Sequence, residues 1–328
     1  MNTQHGASPP TILVLNSGSS SLKFGLFAHS GDDESLLLEG SAQGIGRGDG
    51  SLRIAAPDAR VLVHEQHAVH FAPLHIPPAL ALIDEAQTIF GDAGHFACFD
   101  TAFHATLPPR AAQLALPRRY ADAGVIRYGF HGLSYESLVA QLGAALPPRA
   151  VFAHLGNGSS VCALRDGKSI DTSMGMTPTG GVPMGTRCGD LDPGVLLYLM
   201  RVEKLDADAL ETLLNRHSGL AGYADGESDM QALEQRAAAG DANASLALDA
   251  FATAVRKTIG GYAALLGGID LLVFTGGIGE HSAEIRKRIC EGLGFLDLCE
   301  GDASGKVRAV HTEEEKQIAR HCRALLRG

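Results

Sequence analysis

Two stretches of this chain place small residues and hydroxyls in nearly the same order. Near the start runs Ile12-Leu13-Val14-Leu15-Asn16-Ser17-Gly18-Ser19-Ser20-Ser21-Leu22-Lys23, and in mid-chain Val151-Phe152-Ala153-His154-Leu155-Gly156-Asn157-Gly158-Ser159-Ser160-Val161. Each reads as an apolar strand, a turn with an asparagine, a Gly-Ser-Ser segment and a second strand. Glycines let a ligand come close to the backbone, and hydroxyls with free N–H groups suit an anion such as phosphate. One such turn is ordinary loop sequence. A pair suggests a duplicated domain whose hairpins face each other across a phosphate-binding cleft.

Other residues could supply charge. Arg187 lies in Met184-Gly185-Thr186-Arg187-Cys188-Gly189-Asp190-Leu191-Asp192-Pro193. An arginine in a glycine-rich loop is suited to a transferring phosphoryl group, and could equally pair with Asp190 or Asp192. Asp100, in Phe99-Asp100-Thr101-Ala102-Phe103-His104, could orient a nucleophile, accept a proton or hold a metal. By itself it reads as an N-cap for a helix beginning at Thr101. His131, between Tyr128-Gly129-Phe130 and Gly132, reads alone as a packed core histidine, whereas His154 is better placed to touch a phosphate. Thr275-Gly276-Gly277-Ile278-Gly279-Glu280 follows a buried strand and precedes a helix, which makes a seat for an anion or nucleotide. Glu313-Glu314-Glu315 is either a solvated acidic helix start or part of a Mg²⁺ site. His64, His67, His70 and His75 fit no common zinc spacing.

The elements that position these residues follow from pattern. Residues 11–70 read as strands: the first hairpin, then Glu34–Gly44 and Ser51–Val69, separated by Gly46-Arg47-Gly48-Asp49-Gly50. Helical spacing runs from Pro77 to Phe90, and a short strand His95–Phe99 delivers Asp100. A second hairpin opens at Val151, and Gly156–Gly194 is mostly loop. Helices fill Val195–Arg216 and Met230–Leu266, and the strand Leu271–Phe274 leads through glycines to a helix at Ser282–Leu293 capped by Ser282. Strands followed by helices, twice over, indicate two α/β units with mixed sheets.

With 328 residues there is room for two domains and a large core. The formal charge of −10 argues against a general nucleic-acid binder. No apolar run approaches the roughly 18 residues of a membrane helix. Six scattered cysteines favour reduced thiols in a cytoplasmic protein.

These stretches, taken in order, resemble the acetate kinase family, which includes propionate kinases. The match covers Leu15–Lys23, Phe71–His75, Phe99–His104, Arg127–Ser134, His154–Ser159, Asp171–Pro178, Met184–Pro193, Ser218–Leu220 with Ser228–Met230, and Phe274–Glu280. The resemblance implies a duplicated actin-like, sugar-kinase-like α/β fold of the acetate and sugar kinase superfamily, and a homodimer. It implies domains of 1–102 plus 315–328, with the first hairpin, and of 103–314, which binds nucleotide. ATP and Mg²⁺ would serve in reversible transfer of the γ-phosphoryl group to a short carboxylate, giving an acyl phosphate and ADP, with no nucleic acid or membrane partner. The alternative is a nucleotide-binding protein of this fold without catalysis. Position by position, Asn16 and Glu314 would bind the metal, and Lys23 a phosphate. Asp100, His131 and Arg187 would be catalytic. His154, Leu155, Gly156, Asn157 and Gly158 would form the γ-phosphate loop. Asp229, Met230 and Gln231 would join Gly277, Ile278, Gly279, Glu280 and His281 at the nucleotide.

Three departures qualify the match. A segment with a His-Arg-Val-Val-His-Gly-Gly motif, whose arginine binds the substrate carboxylate, is missing ahead of Phe71, and Arg60 is only a faint echo of it. Gln231 stands where an arginine usually lies against adenine, and Tyr135 replaces a second histidine. The stretch between Leu293 and Glu313 is shorter than usual.

Overall fold

Alternating burial marks the first strand of one sheet, and near-continuous burial the central strands of the other. The computed structural model describes residues 11–17, 21–30, 33–43, 51–58, 61–66, 76–301 and 305–327. They fall into two compact units, one of residues 1–98 with 313–328 and one of residues 99–312.

The first unit is an antiparallel meander of β1 (Thr11–Ser17), β2 (Ser21–Ser30), β3 (Asp33–Gln43), β4 (Ser51–Ala55) and β5 (Val61–Gln66), in that spatial order. In β1, Ile12 and Val14 are buried while Thr11 and Leu13 are exposed, as expected when one face of a sheet meets a core. The covering layer is the helix Glu314–Arg327, whose Ala319 and Cys322 pack with Ile12, Val14 and Phe27. Arg323 Nε on that helix is 2.9 Å from Glu34 Oε1 of β3, tying helix to sheet. The helix Ile76–Ile89 also belongs to this unit.

The second unit holds a mixed sheet ordered β10-β9-β6-β7-β8. Its strands are β6 (Arg149–Leu155), β7 (Ser159–Arg165), β8 (Lys168–Thr172), β9 (Leu271–Thr275) and β10 (Val307–Ala309). β6, β7 and β8 pair antiparallel, and β9 runs parallel to both β6 and β10. Val151, Ala153, Leu272 and Phe274 face a core built on the helix Ala242–Leu266, including Phe251, Val255 and Ile259. Phe152, Cys162, Leu164 and Val273 face the other way, toward Tyr135 and Leu138 of the helix Gly132–Leu142. With helices on both faces, β9 is buried at every residue.

Several expectations change. Residues 94–99 form no strand; Asp100 is carried by an irregular segment ahead of a 3₁₀ turn at Ala102–Thr106. The units divide near residues 98 and 312, whereas the sequence reading drew the limits at 102 and 314. Asp100 lies with the second unit because its carboxylate is bound there, and Glu314 lies with the first because it opens the helix packed on β1. Ser51–Val69 resolves into β4 and β5, and β7 and β8 occupy the first part of the stretch read as loop. The glycines after β9 are themselves a short helix, Gly276–His281, ahead of Ala283–Cys290, and Ser282 does cap the latter by accepting from the Ile285 N–H at 3.0 Å.

Candidate active site

The parallel pair β6 and β9 ends in two glycine turns side by side: His154 pairs with Thr275, and Gly156 and Gly276 follow. Carboxyl ends of adjacent parallel strands are where open α/β sheets bind ligands. An added Cβ on Gly276 would lie 2.7 Å from the Leu155 carbonyl oxygen and 3.1 Å from His154 Nε2, so the two turns touch. Glu280 closes the second turn, accepting from the Gly276 N–H at 3.1 Å while lying 2.9 Å from His311 Nδ1.

Three charged or titratable side chains meet over the β6–β7 turn. A Cβ on Gly158 would sit 3.3 Å from Arg187 Nη1 and 3.3 Å from His131 Nε2. The rings of His131 and His154 stack with centroids 4.1 Å apart and planes 19° from parallel. His131 Nδ1 lies 2.9 Å from Ser160 Oγ, and His154 Nδ1 lies 2.8 Å from Ser134 Oγ. Burial holds the His131 pKa well below its ordinary value, and the neighbouring His154, Arg187 and His104 push the same way. The site therefore offers a cation at Arg187 and an uncharged imidazole at His131 beside it, a set that suits an oxyanion without adding excess positive charge.

Two supports hold this cluster. His131 has φ 59°, a left-handed conformation that costs a non-glycine residue energy. Asp100 compensates: one carboxylate oxygen accepts from the His131 N–H at 2.7 Å and the other from the Leu133 N–H at 3.1 Å. The capping character read for Asp100 is thus real, but the helix it caps is Gly132–Leu142 and not the segment at Thr101. The Arg187 loop is pinned by backbone bonds on both sides. Met184 N–H donates to the Arg187 carbonyl at 3.0 Å, Ser218 N–H to Thr186 at 3.1 Å, Leu220 N–H to Met184 at 2.9 Å and Ala221 N–H to Gly185 at 3.0 Å. Gly219 makes this possible: it has φ 62°, and a Cβ there would strike the Met184 carbonyl oxygen at 2.1 Å.

The remaining residues are placed as follows. Asn157 is exposed at the turn, next to Gly185. Asp229 caps the helix Met230–Ala238, accepting from the Ala232 N–H at 2.9 Å; Met230 is buried in the core and Gln231 is exposed. Gly277 and His281 are exposed, Ile278 and Glu280 are half-buried, and Gly279 is buried. In the first unit, Asn16 Nδ2 donates to Glu314 Oε2 at 3.0 Å and to Glu315 Oε1 at 3.2 Å, and Lys23 on β2 is exposed. The first glycine turn at 18–20, Arg60 and Phe71–His75 lie outside the described residues. Sequence reasoning passed over Ser134 and Ser160, which orient the two histidines. The hydroxyl-rich repeat was visible, but nothing in it tied those hydroxyls to rings on another element.

Fold and site together suit an α/β phosphotransferase. More narrowly, the chain belongs to the acetokinase family, whose model matches residues 56–315. It is 46% identical over 284 residues to an acetate kinase of Methylocella silvestris, covering 81% of this chain and 70% of that protein. It is 37% identical over 398 residues to an acetate kinase of Coprothermobacter proteolyticus, covering 97% and 99%. That aligned stretch exceeds the 328 residues present here, so the relative carries segments this chain lacks. A crystal structure of a propionate kinase from Francisella tularensis superposes with TM-score 0.82 at 30% identity, covering 94% of this chain and 98% of that one.

Proposed function

We propose that this protein moves the γ-phosphoryl group of ATP reversibly to a short carboxylate, acetate or propionate, giving an acyl phosphate and ADP. The observation that carries the reading is the meeting of Arg187 Nη1 and His131 Nε2 within 3.3 Å of one point above Gly158. Phosphoryl transfer demands positioning and charge neutralisation more than covalent chemistry, and a guanidinium with a neighbouring ring N–H supplies both. Arg187 and His131 contact the transferring group. Asp100 holds His131 in its strained conformation. The turn from His154 through Leu155, Gly156 and Asn157 to Gly158 receives the γ-phosphate.

Asp229, Met230 and Gln231, with Gly277, Ile278, Gly279, Glu280 and His281, are the nucleotide residues in this reading. Exposed Gly277, where a Cβ would meet open space, leaves room for a ligand. Asp229 and Met230 contribute backbone and shape, since the carboxylate is engaged as a cap and the thioether is in the core. Lys23 contacts a phosphate.

Mg²⁺ would be held by Asn16 and Glu314. The residue types fit, since Mg²⁺ takes a few hard oxygens while keeping several waters; here Asn16 Nδ2 bonds Glu314 and Glu315 at 3.0 and 3.2 Å, so the amide would turn its oxygen toward the ion. The ion would neutralise phosphate charge.

A homodimer is supported by the helix Pro193–Arg201, which buries no residue and exposes Val195, Leu197, Tyr198 and Met200. The cysteine usage suits the cytoplasm, and among the described residues no helix is long and apolar enough to cross a membrane.

The test is hydroxamate detection of acyl phosphate with acetate, propionate and butyrate each offered beside Mg-ATP. Acyl phosphate from acetate or propionate is the expected result. Nucleotide binding without any acyl phosphate would overturn the reading.

A further inference from the structure

A chain of hydroxyls runs from the core to His131. The Tyr135 hydroxyl is hydrogen-bonded to Ser160 Oγ, and Ser160 Oγ lies 2.9 Å from His131 Nδ1. Tyr135 and Ser160 are both fully buried. The direction of the proton donors along this chain follows from its inner end. The phenol is fully buried and its hydroxyl is bonded to Ser160 Oγ; a buried O–H left without an acceptor is costly, so its proton goes to Ser160 Oγ. Ser160 has a single proton and gives it to His131 Nδ1, which must then be bare. Burial keeps the phenol protonated, raising its pKa well above the ordinary value, so the donor at the head of the chain persists across the working pH range.

We propose that Tyr135 and Ser160 are positioning residues that fix His131 in the tautomer whose proton sits on Nε2, the nitrogen beside Gly158 and Arg187. The proposal rests on the phosphotransferase reading and deepens it. With the proton on Nε2, the ring and the guanidinium present two donors to the same phosphoryl oxygens. With the proton on Nδ1, a lone pair would face those oxygens and would also draw a hydrogen from Arg187 away from them. The groups facing His131 are the stacked His154, Arg187, His104, the Asp100 carboxylate on its backbone N–H, and Tyr135 through Ser160. His131 Nδ1 is bonded to Ser160 Oγ, and the His154 ring lies stacked over the imidazole and not in line with Nδ1.

The test is nitrogen NMR of histidine-labelled full-length protein near neutral pH, with His131 assigned by comparison with His131→Gln. Wild type should show a proton-free Nδ1 and a protonated Nε2. Tyr135→Phe and Ser160→Ala should each shift both signals toward a tautomer mixture and lower kcat about tenfold or more. KM for ATP should stay within about twofold, because the donor at His131 Nε2 gains strength only as charge develops on the phosphoryl oxygens in the transition state. Ser160→Thr, which keeps the hydroxyl, should restore the wild-type ring pattern. A proton on Nδ1 in wild type, or an unaltered ring pattern in both Tyr135→Phe and Ser160→Ala, would overturn the proposal, and the wild-type spectrum alone decides it if a variant fails to fold. The spectrum needs no substrate. A chain with this tautomer that forms no acyl phosphate would therefore sink the phosphotransferase reading and leave the tautomer assignment standing.

Discussion

The two hairpins that look alike in sequence end in opposite chemical surroundings. Asn16, at the end of β1, meets the carboxylates of Glu314 and Glu315, so its neighbourhood attracts cations. Gly158, at the start of β7, meets Arg187, His131 and the stacked His154, so its neighbourhood attracts anions. The local sequence dictates a hairpin in both cases, and elements distant in sequence decide what that hairpin can bind. The sheets beneath differ as well. In the first, β1 alternates buried and exposed residues beneath the helix Glu314–Arg327; in the second, the central strands β6, β7 and β9 have core on both faces. The anion-facing turn thus stands on the stiffer floor.

The strongest way to break this comparison is to remove the cation from the anion-facing turn. Arg187→Ala should lower kcat by about a thousandfold while KM for ATP changes little, as measured by hydroxamate kinetics. Near-normal turnover would mean the cluster above Gly158 is not where phosphoryl charge develops. The next test concerns the floors. Phe152→Ala, in the doubly covered sheet, should cost about 3–5 kcal/mol in denaturant unfolding. Phe27→Ala, in the smaller cluster beneath the helix Glu314–Arg327, should cost clearly less because its surroundings can collapse into the gap. Equal losses would erase the difference in stiffness.

Acid should act on the second unit through His104. Burial lowers its pKa from 6.5 to about 4, and its ring is bonded to Ser169 Oγ at 2.8 Å and to the Phe130 carbonyl at 3.0 Å. Above pH 6.5 the imidazole is neutral whether folded or unfolded, and its contribution to stability is fully present. As pH falls toward 4 the unfolded chain takes the proton first, so up to roughly 3 kcal/mol is lost. Unfolding curves against pH should therefore be flatter for His104→Gln than for wild type over that window. The smallest expected effect belongs to the cation-facing turn. Glu314→Gln should raise the Mg²⁺ concentration needed for half-maximal activity about tenfold, because Glu315 and Asn16 remain. An unchanged Mg²⁺ titration would remove Glu314 from the metal site.

Much of this was legible in the sequence, and the failures share a cause. The second hairpin, the strand Leu271–Thr275 and the Ser282 cap were readable because each depends on residues close in sequence. Asp100 shows the limit: its type announced a cap, but the helix it caps begins some thirty residues later, beyond the reach of any local pattern. The apolar run His95–Phe99 looked like a strand, yet Phe96 and Phe99 are exposed and no neighbouring strand pairs with it among the described residues. The site followed the same rule. Arg187 and His154 were suspected from their own loops, whereas the meeting of His131 with Ser160 and Gly158 is a product of tertiary packing.

The backbone lattice around Gly219 has a consequence for temperature. Three backbone hydrogen bonds clamp residues 184–187 against the segment 218–221 and a fourth closes the loop on itself, so the arginine's frame is immobilised during folding and not during each catalytic cycle. Little disorder is left to lose on the way to the transition state. The activation entropy of turnover should accordingly be close to zero, and an Arrhenius plot of kcat should reflect an almost purely enthalpic barrier. Loosening the clamp with Gly219→Ala should make that entropy more negative well before it unfolds the protein.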